Sequence, residues 1–274
     1  MKTGVVGLSF SATTTFVEFL EIARGMGIEG FEIPSHRRSF KGTLDLLTDD
    51  LGDVRARIGS SGLEVLAIGG YNDFVQARSE QLEAEIERVK RLCDIAVAFG
   101  CRVVRVFGGE PKDDVPRDQW TDMIVDGFRT CVGYAETSGV YLGLENHGLL
   151  TNDADLEIEI IERVGSDNLG ITVDTSNFRW YGHSLETVHG YLKRLAPYAV
   201  HAHIKDGSAQ SGIREDYTAT ALGEGEIDVG MFIDQLKGCG YGGALCIEYE
   251  GKEDPREGAE KSLRFLRRLL ATSD

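Results

Sequence analysis

What this 274-residue chain lacks narrows its class before any motif is read. No stretch approaches the roughly 18 consecutive apolar residues that a membrane span needs. The opening MKTGVVGLSFSATTT carries one Lys and an apolar run that breaks at Ser9, so residues 5–10 read as a first buried strand and not as a secretory leader. A cytoplasmic protein without a membrane partner is expected. Cysteine is sparse. Cys93, Cys101, Cys131, Cys239 and Cys246 are odd in number and form no CxxC pair, so they read as reduced, small apolar residues and not as a disulfide framework. Positive charge is scarce as well: 29 Lys and Arg stand against 45 Asp and Glu, a net charge of −16. Such a surface repels phosphate backbones and disfavours a nucleic-acid partner. Linkers and low-complexity stretches are missing too, and 1–274 reads as one domain.

What is present is a rhythm. A short β-rich run, a polar or Gly-rich turn and an amphipathic stretch of helical period recur along the chain. Strands are expected over 4–8, 30–33, 64–68, 102–107, 141–145, 170–174, 200–204 and 244–248. Helices are expected over 14–26, 44–61, 80–99, 117–138, 153–164, 185–196, 229–238 and 255–270. Several helices run into a glycine just before the next strand, as at Gly100 and Gly139, where the left-handed conformation costs glycine little. Eight strand–helix units predict a single (β/α)8 TIM barrel of α/β class, for which about 250 residues suffice. An open doubly wound sheet would carry a glycine phosphate fingerprint after its first strand, and none is there. One segment, 206–226, is long and rich in Gly, Ser, Asp and Thr, as functional or mobile loops are.

Barrel strands are buried on both faces, so charge at their ends is costly unless it is paired or binds a metal. Strand five delivers Glu145 and His147, strand six Asp174, strand seven His201, His203 and Lys205, and strand eight Glu248 and Glu250. The C-terminal rim is where this fold carries its chemistry. Three carboxylates brought together would repel one another unless a cation lay among them. Glu145, Asp174, His203 and Glu248 are therefore expected to hold one divalent ion. The oxygen-rich set favours Mn2+, with Mg2+, Co2+ or Zn2+ as alternatives. His147 reads as a substrate contact or acid/base group, and Lys205 as a substrate contact or a neutraliser of the carboxylates. His201 lies deeper, as a metal ligand, a neighbour of one or a core residue, while His183 and His189 read as packing or surface positions. Glu32, His36, Arg105, Trp180 and Arg214 are further candidates for touching substrate.

At LENHG (144–148), VDTSNF (173–178), HAHIKD (201–206), GEGEID (223–228) and IEYEGKEDP (247–255) the chain resembles the xylose isomerase-like barrel superfamily of sugar phosphate isomerases and epimerases. The resemblance covers nearly the whole chain. It places the family's metal ligands on Glu145, Asp174, His203 and Glu248, and implies that Glu145 and Glu248 also form the proton-transferring pair of a ketose epimerase. Two positions depart from those epimerases. Their substrate-binding His is Asn177 here, and the Arg six residues after the metal His is Ala209, with Arg214 nearby. The resemblance also implies homodimers or homotetramers.

The expected activity is isomerisation or epimerisation of a ketose or related keto-polyol through a metal-stabilised enediolate. The alternative is a dehydratase or lyase on a keto-cyclitol or dehydroshikimate-like substrate, in which a β-hydroxyl leaves instead of a proton returning. Two other readings differ in class. An apurinic-site endonuclease would need further His ligands on strands three and four, which end in Ala-Ile-Gly-Gly and Arg-Val-Phe-Gly-Gly, and a non-catalytic sugar-binding barrel would have no use for the ligand set.

Overall fold

A computed structural model describes residues 1–36, 38–209, 211 and 213–271. Eight parallel strands close into a barrel: β1 (Lys2–Val6), β2 (Gly30–Pro34), β3 (Glu64–Gly69), β4 (Val103–Val106), β5 (Tyr141–Glu145), β6 (Leu169–Asp174), β7 (Ala199–Ile204) and β10 (Ala244–Ile247). Each strand pairs with its sequence neighbour in the barrel, and β10 returns to pair with β1. Outside lie α1 (Phe16–Met26), α2 (Ser39–Gly42), α3 (Leu51–Ser61), α4 (Ser79–Phe99), α5 (Trp120–Ser138), α6 (Ala154–Val164), α7 (Asn177–Tyr181), α8 (Leu185–Leu195), α9 (Val229–Gly238) and α10 (Pro255–Ala271). No helix among the described residues is long and apolar enough to cross a membrane.

Local signals set the boundaries. Thr15 caps α1 in a capping box: its side chain accepts from the Glu18 amide while Glu18 accepts from the Thr15 amide, an arrangement worth about 1 kcal/mol. The third helix begins at Leu51 and not at residue 44, because Asp50 accepts from the amides of Gly52 and Asp53 and fixes the start there. The first strand ends at Val6, two residues before the expected 8, since residues Gly7–Phe10 wind into a 3-10 turn.

Two apolar regions hold the fold. The larger lies between strands and helices, with Phe10, Phe16, Phe19, Phe31 and Phe40 in mutual ring contact at its α1 side. Each such ring contributes about 1.5–3 kcal/mol of burial. The smaller comprises Val6, Ala244 and Cys246, with Leu8 and Leu66 packed on them. Glycines make room for the larger side chains inside the barrel: a Cβ at Gly30 would lie 2.8 Å from Leu66, and one at Gly170 would lie 2.4 Å from Val200.

The segment 206–226 is not a structureless loop. It contains an antiparallel pair, β8 (Asp206–Ala209) and β9 (Tyr217–Thr220), although Gln210 and Gly212 lie outside the described residues. The hairpin is fastened at its base. The carboxylate of Asp206 accepts from the amides of Gly207, Gly223, Gly225 and Ile227. A Cβ at Gly225 would come within 2.1 Å of Asp206 Oδ1, which explains a glycine in GEGEID. Arg179 of α7 donates to Glu226 at 2.6 Å and to the Ala209 carbonyl at 2.7 Å.

Candidate metal centre

Alternation along β7 sends His201 and His203 to one side, with Lys205 next in the same series, and all three are buried. Glu145 closes β5, Asp174 closes β6 and Glu248 follows the last residue of β10. One ligand atom from each of Glu145, Asp174, His203 and Glu248 can be chosen so that all four lie within 4.8 Å of one another. His203 Nδ1 is 3.3 Å from Glu145 Oε1, 3.2 Å from Glu248 Oε2 and 3.9 Å from Asp174 Oδ2.

Asp174 keeps one oxygen for structure. Asp174 Oδ1 accepts from the amides of Ser176 and Asn177, both at 2.8 Å, while its backbone N–H donates to Asn146 Oδ1. Among the described residues, neither Asp174 Oδ2 nor His203 Nδ1 has a hydrogen-bond partner, and both atoms are buried. Buried polar atoms rarely stay unpaired. Two such atoms within a carboxylate cluster fit a cation.

The buried charges agree. Among the described residues, Glu32, Glu145, Asp174 and Glu248 pair with two permanent cations, Arg105 and Lys205. Without an ion the deficit falls on protons. Burial, reinforced by Glu145 and Glu248 and partly opposed by Lys205, pushes the Asp174 carboxyl up to about 7. Burial works against a charged His203, yet Glu32, Glu145 and Glu248 outweigh it and hold the imidazole well above its ordinary range. Burial would raise Glu145, but His203 and Arg105 keep it at about 2, and Lys205 and His203 hold the Glu248 carboxyl well below the ordinary carboxylate range despite its burial. A divalent ion supplies the two missing charges, so the donor set fits one in charge as well as in chemistry.

Of the other expected contacts, Asn177 and Lys205 touch this cluster, whereas Arg214 and His36 are exposed and pack on Trp180 and Tyr71. Asn177 Nδ2 donates to Glu145 Oε1 at 3.2 Å. Lys205 Nζ lies 2.9 Å from Glu248, 3.3 Å from Asp174 and 3.2 Å from Glu250. His147 stacks on Phe107 with ring centres 4.2 Å apart, and burial pushes its imidazole down towards the neutral form. Arg214 is exposed near the hairpin tip, its guanidinium 3.9 Å from the centre of the Trp180 ring on α7, the helix that begins with Asn177. His36 is exposed and edges onto Tyr71. His183 packs against Phe178, Tyr181 and Tyr191, and His189 accepts from the Asp228 amide.

Beneath the cluster lies a connection that sequence reasoning did not draw. Glu32, Arg105 and His201 join across the barrel: Glu32 Oε2 meets His201 Nε2 at 3.1 Å and His203 Nε2 at 2.6 Å, and Arg105 reaches both Glu32 and Glu145. The rule applied to strands five to eight, charge in a buried strand, also marks Glu32 in FEIP and Arg105 in VVRV. Which partners they meet depends on barrel closure.

The family model described as Xylose isomerase-like TIM barrel matches residues 20–269. An uncharacterized protein of Methanocaldococcus jannaschii, MJ1311, is 31% identical over 143 residues, covering 51% of this chain and 45% of that protein. The 3-dehydroshikimate dehydratase of Pseudomonas aeruginosa is 26% identical over 177 residues, 64% of this chain and 26% of that protein. The chain thus spans less than half the length of either curated relative. A solved D-tagatose 3-epimerase-like protein superposes with a TM-score of 0.80 at 22% identity, covering 99% of this chain and 98% of that one, a likeness of fold.

Proposed function

The chain belongs to the xylose isomerase-like TIM barrel family, and from the site on that frame we propose a divalent-metal-dependent isomerase or epimerase of a ketose or related keto-polyol. The observation that carries this reading is the pair of buried atoms, His203 Nδ1 and Asp174 Oδ2, that have no hydrogen-bond partner among the described residues and stand with Glu145 and Glu248 within reach of one ion. Glu145, Asp174, His203 and Glu248 would hold the ion. When bound, the ion supplies Lewis acidity that polarises a substrate carbonyl and acidifies the adjacent C–H.

Proton movement belongs to the chain's own groups. Glu145 and Glu248 approach His203 Nδ1 from β5 and from the end of β10, with two strands, β6 and β7, between them in the barrel order. One carboxylate takes the proton from the carbon beside the carbonyl, leaving an enediolate. For epimerisation the other carboxylate, once it has taken a proton from solvent, delivers that proton to the opposite face of that carbon, and the first releases its own to solvent. Asn177 steadies Glu145 from the side. Lys205 offers its ammonium to a substrate oxygen, while His147 and Arg214 bound the mouth and contact the remaining hydroxyls. Asn177 in place of an imidazole and the missing arginine at Ala209 call for a substrate outside the usual ketose 3-epimerase set.

The test is solvent deuterium exchange into a panel of ketoses by the Mn2+-loaded protein, followed by proton NMR. Glu145→Gln and Glu248→Gln should each lower exchange by at least about 100-fold, the usual weight of a general acid or base. Exchange persisting in either variant would remove that residue from the proton-transferring pair. The similarity to a 3-dehydroshikimate dehydratase favours a second reading, loss of a β-hydroxyl from the same enolate. Appearance of a conjugated ultraviolet chromophore from a dehydroshikimate-like substrate would select it.

A further inference from the structure

We propose that Glu32 and Arg105 are positioning residues: a buried relay that presents His203 Nδ1 and Glu145 Oε1 to the cation, an inference resting on the metal-site reading above. Glu32 stands on β2, across the barrel from β7, and its carboxylate is used at both oxygens. Oε2 faces Nε2 of His203 at 2.6 Å and Nε2 of His201 at 3.1 Å. An ionised carboxylate only accepts, so the hydrogen that a neutral His203 ring would keep, once a cation took the place of the proton on Nδ1, is the one on Nε2. The lone pair then sits on Nδ1, the nitrogen that faces Glu145, Asp174 and Glu248. A carboxylate behind a metal-bound imidazole fixes ring orientation and tautomer and raises its basicity.

The other oxygen connects to the second limb. Arg105 NH2 is 3.4 Å from Glu32 Oε1, and its Nε is 3.2 Å from Glu145 Oε2. The guanidinium is itself fixed, donating to the Gly70 carbonyl at 2.7 Å and lying 4.7 and 4.4 Å from the ring centres of Tyr71 and Phe107. With Oε2 held by Arg105, Glu145 is left with Oε1 turned to His203 Nδ1 and Asn177. The end of β3 is built around this relay. A Cβ at Gly69 would lie 2.6 Å from Glu32 Oε1 and 3.0 Å from Arg105 NH2, and one at Gly70 would lie 2.6 Å from the Arg105 carbonyl. One chain of contacts thus runs from His203 through Glu32 and Arg105 to Glu145, setting two of the four donors from behind.

Mn2+ affinity, read from free-ion electron paramagnetic resonance, tests the relay without reference to turnover. Glu32→Gln replaces an acceptor by an amide that cannot serve Arg105 and both imidazoles together. Glu32→Asp keeps the charge beside Arg105 but withdraws it from the imidazoles, so it stays informative if the first variant does not fold. Each should bind Mn2+ about 10–100-fold more weakly than the parent. In 15N-histidine spectra of the protein loaded with diamagnetic Mg2+, the His203 nitrogen signals should lose their distinct Nε2–H character. A parent that binds one Mn2+ while both variants bind it as tightly would overturn the relay and leave the metal site standing. Lower melting temperatures with unchanged affinity would reduce Glu32 to a structural ion pair and overturn it too. A parent that binds no Mn2+ would sink the metal reading itself.

Discussion

Lys205 shows how much one side chain settles at this site. Its ammonium is buried against Asp174, Glu248 and Glu250, and although burial opposes charge, those carboxylates hold it well above the ordinary lysine range. Removing one partner of a buried charged group costs about 3–5 kcal/mol, because the other is left uncompensated. Lys205→Met should therefore lower the melting temperature of the cation-free protein. A divalent ion would then repair a larger deficit and bind more tightly, and an ion that binds only the folded state stabilises it more the tighter it binds. The rise in melting temperature on adding Mn2+ should be greater for Lys205→Met than for the parent. Equal or smaller rises in thermal scans would refute the charge deficit. At this scale the sequence was informative where alternation alone decides direction: Glu145, Asp174, His203 and Glu248 converge because each stands at the end of a buried strand. It was silent on Glu32, Arg105 and His201 as partners, since no periodicity says which strands face each other across a barrel.

Among the elements, α6 contains a feature with a measurable consequence. Glu157 is fully buried on this helix, and neither carboxylate oxygen has a hydrogen-bond partner. Burial, with Glu145 and Asp153 adding to it, raises its carboxyl well above the ordinary value of 4.5. The sign follows from proton counting. Above 4.5 the unfolded chain releases this proton while the folded one retains it, so stability falls as pH climbs from 4.5 to the folded value. Below 4.5 the group contributes no such loss. Glu157→Met removes the orphaned oxygens at similar length, and an unsatisfied buried group costs about 1–3 kcal/mol. The variant should be more stable than the parent, with a margin that widens as pH rises from 4.5. Urea titrations across that range would show it, and a margin that narrows with pH would disprove a neutral Glu157. Helices and barrel strands were legible as elements because period and glycine stops agree, as at Gly100 and Gly139, where φ is 71° and 66°. The β8–β9 hairpin was not, because its stability comes from Asp206, Arg179 and Glu226, contacts distant in sequence.

For the whole molecule, barrel closure was readable from the count of strand–helix units, and net charge sets what remains to be tested. A charge of −16 on 274 residues means that self-repulsion opposes folding wherever acidic groups are close. Exposed ion pairs oppose that effect: Lys2 with Glu64, Arg194 with Asp155, Arg163 with Asp122 and Glu159, and Lys261 with Glu253. Such surface pairs are worth about 0–1 kcal/mol each and are also screened by salt. The two effects pull in opposite directions as ionic strength rises. Paired charges cancel locally and act over one contact, whereas the unpaired acidic excess acts over the Debye length, about 30 Å at ~0.01 M and about 8 Å at ~0.15 M. Repulsion therefore loses more than attraction when salt is added. The melting temperature of the cation-free protein should rise between ~0.01 and ~0.5 M NaCl, mostly in the first part of that range where the screening length shortens fastest. A melting temperature that stays level or falls over that interval would mean that the surface ion pairs outweigh the acidic excess.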